Sequence, residues 1–351
     1  MKKIVAIILS AAFALGTMAS CAAPADEKAP VSSAAQSTSQ TVSAPAQAPE
    51  APRTAFRIAS LKGPTTMGIV KLMQDRQAGN TAHDYDVTMY GSPEEITPKL
   101  INGDIDVALI PANLASVLYN KTEGKIVVGA INTLGVLYML ASDDSVKTVA
   151  DLKNTTIYTT GKGTTPEFVL NYILTQNGLD PAKDVNIVYK AEATEVAAAM
   201  AASSGYPIAM LPQPYVTSLL AQNDKMHVAL DMTAEWNKVS PDSALVTGVM
   251  VARREFVEQN SAAFAQFVND YAKSTEWVNA NTDAAAALIA EYGIVPKAEL
   301  AKKALPACNI TFISGAEVKA PLEGYLKVLF AQNPQAIGGK LPDEAFYYNP
   351  A

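Results

Sequence analysis

Cysteine and histidine are nearly absent from this 351-residue chain, with two of each, and arginine occupies only five positions. Two cysteines allow at most one disulfide, so packing rather than a covalent framework holds the fold. His83 and His227 stand far apart, and neither has an Asp, Glu or Cys at metal-ligand spacing, which argues against zinc and against Cys/His nucleophilic chemistry. No coherent set of acid, base and nucleophile is present, so an enzyme is not expected. Nucleotide loops are missing as well. Gly161-Lys162-Gly163 looks like a phosphate loop, but that pattern requires glycine at 156 and Ser or Thr at 163, where Thr156 and Gly163 stand; a dinucleotide loop would need glycine in place of Pro166. Positive charge is short, with 27 Lys and Arg against 34 Asp and Glu. A negative surface argues against nucleic acid or anionic lipid as the main partner, and no metal or cofactor is expected.

What the chain does have begins at its first residue. Lys2 and Lys3 make a basic start, residues 4–15 an apolar run, and Met18-Ala19-Ser20-Cys21 a small-residue site ending in cysteine. The run is shorter than the ~20 residues that span a bilayer, which sets it apart from a retained transmembrane helix. A plain secretory signal with an incidental Cys21 is the other alternative. The order resembles the bacterial lipobox, with Met18 where Leu is usual. That resemblance implies removal of residues 1–20, lipidation of Cys21 and an extracytoplasmic protein anchored to the membrane, which two or more acyl chains hold stably. With Cys21 acylated, Cys308 has no disulfide partner. Residues 21–53 are rich in Ala, Pro, Ser, Gln and Thr and almost free of large apolar side chains, so they read as a disordered tether.

From residue 54 onward, strand-like and helix-like patterns alternate. Residues 56–61 form a short apolar strand, and residues 65–77 place Ile69, Leu72 and Met73 on one helical face. Ser92-Pro93-Glu94-Glu95 combines an N-cap, a first-turn proline and a capping-box glutamate. Residues 105–110 are a continuous apolar run of the kind buried on both faces of a parallel sheet. The same grammar restarts after a polar break at 141–147, with strands at 156–159, 185–190, 208–211 and 227–231. Beyond residue 245 one strand, 246–252, precedes mostly helical spacing, including a single helix over 256–279. The expected fold is α/β with two lobes, each a mostly parallel sheet flanked by helices: residues 54–145 plus 246–351 form the first, residues 146–245 the second. Two hinge crossovers fall near 140–147 and 240–247, and a monomer is expected.

In open parallel sheets ligands bind beyond the carboxyl ends of strands, where loops meet helix N-termini. Four polar loops answer that description: Lys62-Gly63-Pro64-Thr65-Thr66-Met67, Pro111-Ala112-Asn113-Leu114, Gly161-Lys162-Gly163-Thr164-Thr165-Pro166 and Leu211-Pro212-Gln213-Pro214-Tyr215. Glu167 stands three residues after Thr164 as a capping-box partner. Candidate ligand contacts are therefore Lys62, Gly63, Pro64, Thr65, Thr66, Met67, Pro111, Asn113, Lys162, Gly163, Thr164, Thr165, Gln213 and Tyr215, with Asn132 and Tyr138 added near the first crossover. Tyr138, Tyr206, Tyr215 and Trp236 could sandwich a planar ligand or pack in the core. No arginine falls on these loops, which disfavours an anion clamped bidentately.

The segments 56–67, Leu100-Ile101-Asn102-Gly103-Asp104-Ile105-Asp106-Val107-Ala108, Val149-Ala150-Asp151-Leu152-Lys153, the 161–166 loop and Gln213-Pro214-Tyr215 resemble the lipoprotein substrate-binding components of bacterial ABC importers. The nitrate/sulfonate/taurine-like group, which includes thiamine-pyrimidine binders, is the nearest in pattern. Gln213 stands where that group's Glu-Pro-Tyr has its acid. The resemblance implies a class II periplasmic-binding fold, a small organic ligand held between closing lobes, and an ABC permease with its ATPase as partners. Two alternatives stay open: a ligand-sensing module docking on a sensor protein, and an enzyme on the same fold.

Overall fold

The computed structural model describes residues 52–202 and 207–349. The signal segment, Cys21, the tether through residue 51, and Tyr206 lie outside the described residues. Arg53, assigned to the tether by composition, is already tied to the fold: its guanidinium donates to the Thr81 carbonyl at 2.7 Å and pairs with Asp84 at 3.0 Å.

The strands are β1 (Ala55–Leu61), β2 (Asp84–Tyr90), β3 (Val107–Pro111), β4 (Ile126–Thr133), β5 (Leu137–Ala141), β6 (Thr156–Thr159), β7 (Asn186–Tyr189), β8 (Ile208–Pro212), β9 (His227–Asp231), β10 (Gly248–Arg253) and β11 (Ile310–Ser314). They form two sheets, ordered β11-β4-β10-β3-β1-β2 and β7-β6-β8-β5-β9. β1 lies parallel to β2 and β3, and β6 parallel to β7 and β8. In the first sheet β10, between β3 and β4, and the edge strand β11, beside β4, run against their neighbours; in the second sheet β5 does so between β8 and β9. The returning strand expected after residue 245 is β10. All eight residues of β4 are buried, as a strand covered on both faces requires.

Helices flank both sheets: α1 (Pro64–Met67), α2 (Val70–Gln77), α3 (Pro93–Asn102), α4 (Ala112–Lys121), α5 (Thr165–Gln176), α6 (Ala193–Ala202), α7 (Tyr215–Leu220), α8 (Met232–Val239), α9 (Arg254–Gln259), α10 (Ser261–Ala280), α11 (Thr282–Glu291), α12 (Ala298–Ala304) and α13 (Lys319–Gln332). The capping box at the start of α3 forms as its sequence predicts, with Glu95 Oε1 accepting from the Ser92 amide at 3.1 Å.

Strand pairing corrects the expected lobe boundary. Residues 137–141, assigned to the first lobe, form β5 inside the second sheet, so the first crossover is the short link 134–136 rather than 140–147. The strand was missed because its continuous apolar run, LYMLA, shows no alternation and follows closely on the buried run of β4. The helix expected over 256–279 divides at Asn260 into α9 and α10. Another feature invisible to periodicity is the course of the last 35 or so residues. Tyr325 on α13 packs on Trp236 of α8 at 5.6 Å between ring centroids, while the 3-10 turn Pro334–Ile337 lies against α4 and accepts from Ser116 and Asn120 at the Ile337 carbonyl. This C-terminal strap therefore touches helices of both sheets.

Candidate functional site

At one end of the first sheet, β1, β3 and β4 finish in residues 61, 111 and 133, and β10 begins at Gly248 beside them. At the matching end of the second sheet, β6, β7, β8 and β9 finish in Thr159, Tyr189, Pro212 and Asp231. Hydrogen bonds span these two edges. Asn113 Nδ2 donates to the Gly163 carbonyl at 3.5 Å, the Tyr138 hydroxyl to the Ala307 carbonyl at 3.1 Å, and Tyr325 on the strap meets Thr165 Oγ1 at 3.2 Å. The four loops named from sequence thus converge on the line where the carboxyl edges meet.

Local chemistry decides what each loop presents. In the first, the Thr65 and Thr66 hydroxyls donate back to the Leu61 carbonyl at 2.8 and 2.6 Å, so both serve the turn. Gly63 and Pro64 complete it, and Lys62 is exposed. Met67 is fully buried in the apolar cluster around Cys308, a core position rather than the ligand contact expected. Asn132 is likewise internal. Its Nδ2 donates to the Thr65 carbonyl at 3.3 Å and contacts the Tyr271 hydroxyl at 3.1 Å, and its Oδ1 accepts from Thr133 Oγ1 at 3.1 Å. Burial pushes the Tyr271 hydroxyl pKa up.

Pro111 delivers the chain into α4, whose second residue, Asn113, is 3% exposed. Its Nδ2 donates to the Ala336 carbonyl at 3.2 Å as well as to Gly163, and its Oδ1 is buried with no partner. The second sheet's Gly161–Pro166 turn depends on left-handed backbone at Gly161 and Gly163, both at φ 77°, where a side chain would be strained. Thr164 Oγ1 donates to the Gly161 carbonyl at 2.8 Å. The carboxylate of Glu167 reaches past the expected cap and accepts from the Gly163 amide at 2.5 Å. Lys162 stands over the Tyr189 ring at 5.9 Å, and burial together with Glu167 raises the pKa of that tyrosine's hydroxyl.

Gln213 turns inward, its Oε1 accepting from the Thr217 amide and hydroxyl at 3.2 and 2.8 Å, so it builds the start of α7. Tyr215 is half-buried, and burial with Glu192 raises its pKa. Tyr138 is pushed up to about 12 by burial, then by Asp231 and Cys308. Trp236 is fully buried between Tyr172 and Tyr325, a core residue rather than a ligand platform. A groove of about 610 Å³ lined by Ile101, Lys125, Arg254 and Glu258 lies at the opposite edge of the first sheet, where β3 and β4 begin, and is unconnected with this convergence.

Sequence reasoning missed Thr233, Thr247, Glu192 and Asp231 as neighbours of this line. Asp231 Oδ1 caps α8 by accepting from the Thr233 amide at 2.8 Å, and its Asp-x-Thr-x-Glu pattern was the available signal. Thr233 also packs against the first crossover: a Cβ on Gly135 would come within 2.1 Å of Thr233 Oγ1. Gly135→Ala is therefore expected to cost about 1–3 kcal/mol through overpacking at this crossover. Adding Thr233→Ala should recover most of it, because that hydroxyl has no hydrogen-bond partner to lose. Urea unfolding midpoints of the single and double variants check both expectations.

Comparison with known proteins places this geometry. Over 202 residues the chain is 24% identical to "Putative binding protein YtlA" of Bacillus subtilis (strain 168), and the match covers 56% of this chain and 57% of that protein. Among solved structures, an ABC transporter protein from Parabacteroides distasonis superposes with a TM-score of 0.69 at 23% identity, covering 85% of this chain and all of that one. The periplasmic aliphatic sulphonate binding protein SsuA from Escherichia coli follows at 0.65 and 19%, covering 84% and 96%. At these identities the likeness to solved structures is one of fold, two lobes of mixed α/β sheet. Membership rests on the sequence itself: residues 76–293 match the family model, and the chain belongs to the NMT1-like family.

Proposed function

We propose that this protein is an extracytoplasmic solute-binding protein that holds a small organic molecule between two lobes and hands it to an ABC permease and its ATPase. The supporting observation is the meeting of the two carboxyl edges, with Asn113 of one sheet reaching Gly163 of the other across the line where such sheets bind ligands. The proposed lobes are residues 52–133 with 248–349, and residues 137–245, hinged at the short links 134–136 and 246–247. Ligand contacts come from the first-sheet loops at Lys62, Gly63 and Asn113 and the second-sheet loops at Lys162, Gly163, Thr164 and Tyr215. Lipidated Cys21 anchors the protein, and residues 21–51 act as a leash long enough for the globule to reorient and redock. Among the described residues no helix is long and apolar enough to cross a membrane.

Native mass spectrometry of the protein from its own membrane, paired with small-angle scattering, tests this reading. The expected result is a monomer whose mass includes acyl chains on Cys21, a retained small molecule, and a smaller radius of gyration with that molecule than after its removal. Absence of compaction with every tight-binding compound of a broad metabolite panel would sink the hinge mechanism. A mass without acyl chains would sink the anchor.

A further inference from the structure

Taking the solute-binding reading as its basis, we infer that Asn113 and Glu167 select the ligand: this cleft takes a cationic molecule bearing N–H groups and turns away oxyanions such as sulfonate and nitrate. The orientation of the Asn113 amide is settled by its neighbours. Two carbonyls, Ala336 and Gly163, lie at 3.2 and 3.5 Å from one end of it, and only the NH₂ can face two acceptors. The other end, Oδ1, is then a buried acceptor without a donor, on the residue whose NH₂ reaches across to the second sheet's 161–165 turn. Leaving such an atom unpaired costs about 1–3 kcal/mol, and a ligand N–H or O–H removes that cost. An oxyanion, which only accepts, cannot.

Across the line, the Gly163 amide, in the turn that leads into α5, is already taken by the protein's own carboxylate. Glu167 accepts the Gly163 amide at 2.5 Å, so a sulfonate would have to displace one negative charge and remain beside it. The neighbouring strand ends add carboxylates, with Glu192 near Tyr215 and Asp231 at the start of α8. Against these stand Lys62, which is exposed, Lys162, which stands over Tyr189, and half-buried Lys190, whose backbone amide donates to the Thr159 carbonyl just past the end of β7. All five arginines are engaged elsewhere: Arg53 and Arg76 with Asp84, Arg57 and Arg253 with Asp106, and Arg254 with the carbonyls of Gly124 and Ala345. The meeting edges thus carry no arginine and, with these lysines set against Glu167, Glu192 and Asp231, no excess of positive charge.

The test is a titration of the whole protein at fixed ionic strength with ethanesulfonate, nitrate, guanidinium and ethylammonium, followed through the Gly163 and Thr164 amide resonances. Saturable responses to at least one cation, none to either anion, and cation binding about tenfold weaker in Glu167→Gln and Asn113→Leu are expected. Glu167→Gln is a partly exposed change and keeps the test intact should Asn113→Leu fail to fold. A saturable response to either anion, no response to either cation, or unchanged cation affinity in Glu167→Gln overturns the inference. Scattering on the same samples separates it from the hinge. Cation binding without compaction leaves the donor-reading pair standing and removes lobe closure, whereas anion binding with compaction does the reverse.

Discussion

Asp106→Ala should lower the unfolding free energy by about 3 kcal/mol at neutral pH, the lower end of what a broken buried ion pair costs. The side chain of Asp106 is 3% exposed and accepts from the Arg57 backbone amide at 3.0 Å, from the Arg57 guanidinium at 2.8 and 2.6 Å, and from Arg253 at 3.0 Å. One carboxylate thus joins β1 and β10 to the start of β3. Removing it strands two guanidiniums. Arg57 is half-exposed and can re-enter water, but Arg253 is 20% exposed and cannot do so fully, which sets the expected size. Burial works to raise the Asp106 pKa, yet the Arg57 and Arg253 contacts overcome it and hold the carboxyl below its ordinary value. A depressed folded pKa contributes stability above the unfolded value of about 3.9 and loses it as pH falls through the folded value. The gap in urea midpoint between wild type and Asp106→Asn should accordingly be wide at pH 7 and narrow as pH drops below 4. A gap independent of pH would show that packing, not charge, holds this corner.

Trp236→Ala is the second large effect, about 3–5 kcal/mol from loss of a fully buried indole in a core that cannot collapse around the gap. Its ring packs against Tyr172 at 4.9 Å and Tyr325 at 5.6 Å, and Nε1 donates to Ser243 Oγ at 3.0 Å. These partners come from α5, from α13 and from the segment leading into β10, so the residue pins the C-terminal strap to the second sheet. Loss of stability should come with a looser strap. Hydrogen exchange should accelerate in α13, including around Tyr325, more than in β1 or β3. Trp236→Phe keeps most of the ring and loses the Nε1 bond, and about 1 kcal/mol is expected for it. Equal exchange rates throughout Trp236→Ala would mean that the strap is held by its other contacts, to Thr165 and to α4.

Much of the strand and helix order could be read from residues because it depends on neighbours in the chain. The Ser92-Pro93-Glu94-Glu95 start of α3 and the buried runs of β3 and β4 are legible without a third dimension, since caps and period are local. β5 was not, because an apolar run of five residues reads the same in either sheet until its partners are known. The candidate loops were legible as loops, but their side chains were not. Whether Thr65, Thr66 and Gln213 face a ligand or their own turn depends on where the hydroxyls and amide find partners, and here they find them within five residues.

Taken alone, the sequence lacks the nucleotide-loop patterns, argues against a histidine or cysteine metal site and an arginine clamp, and orders the α/β elements into two units, because composition and local periodicity carry that information. Tertiary structure decided the rest. It put β5 in the second sheet, sent Met67 and Trp236 into cores, and ran the strap across both lobes. It also left Asn113 Oδ1 buried and unpaired, and set the Glu167 carboxylate on the amide of Gly163. Apart from that last bond, those outcomes depend on contacts between residues 50 to 223 positions apart, and a side chain's partner at that separation is fixed by the packing of whole sheets rather than by its neighbours in the chain.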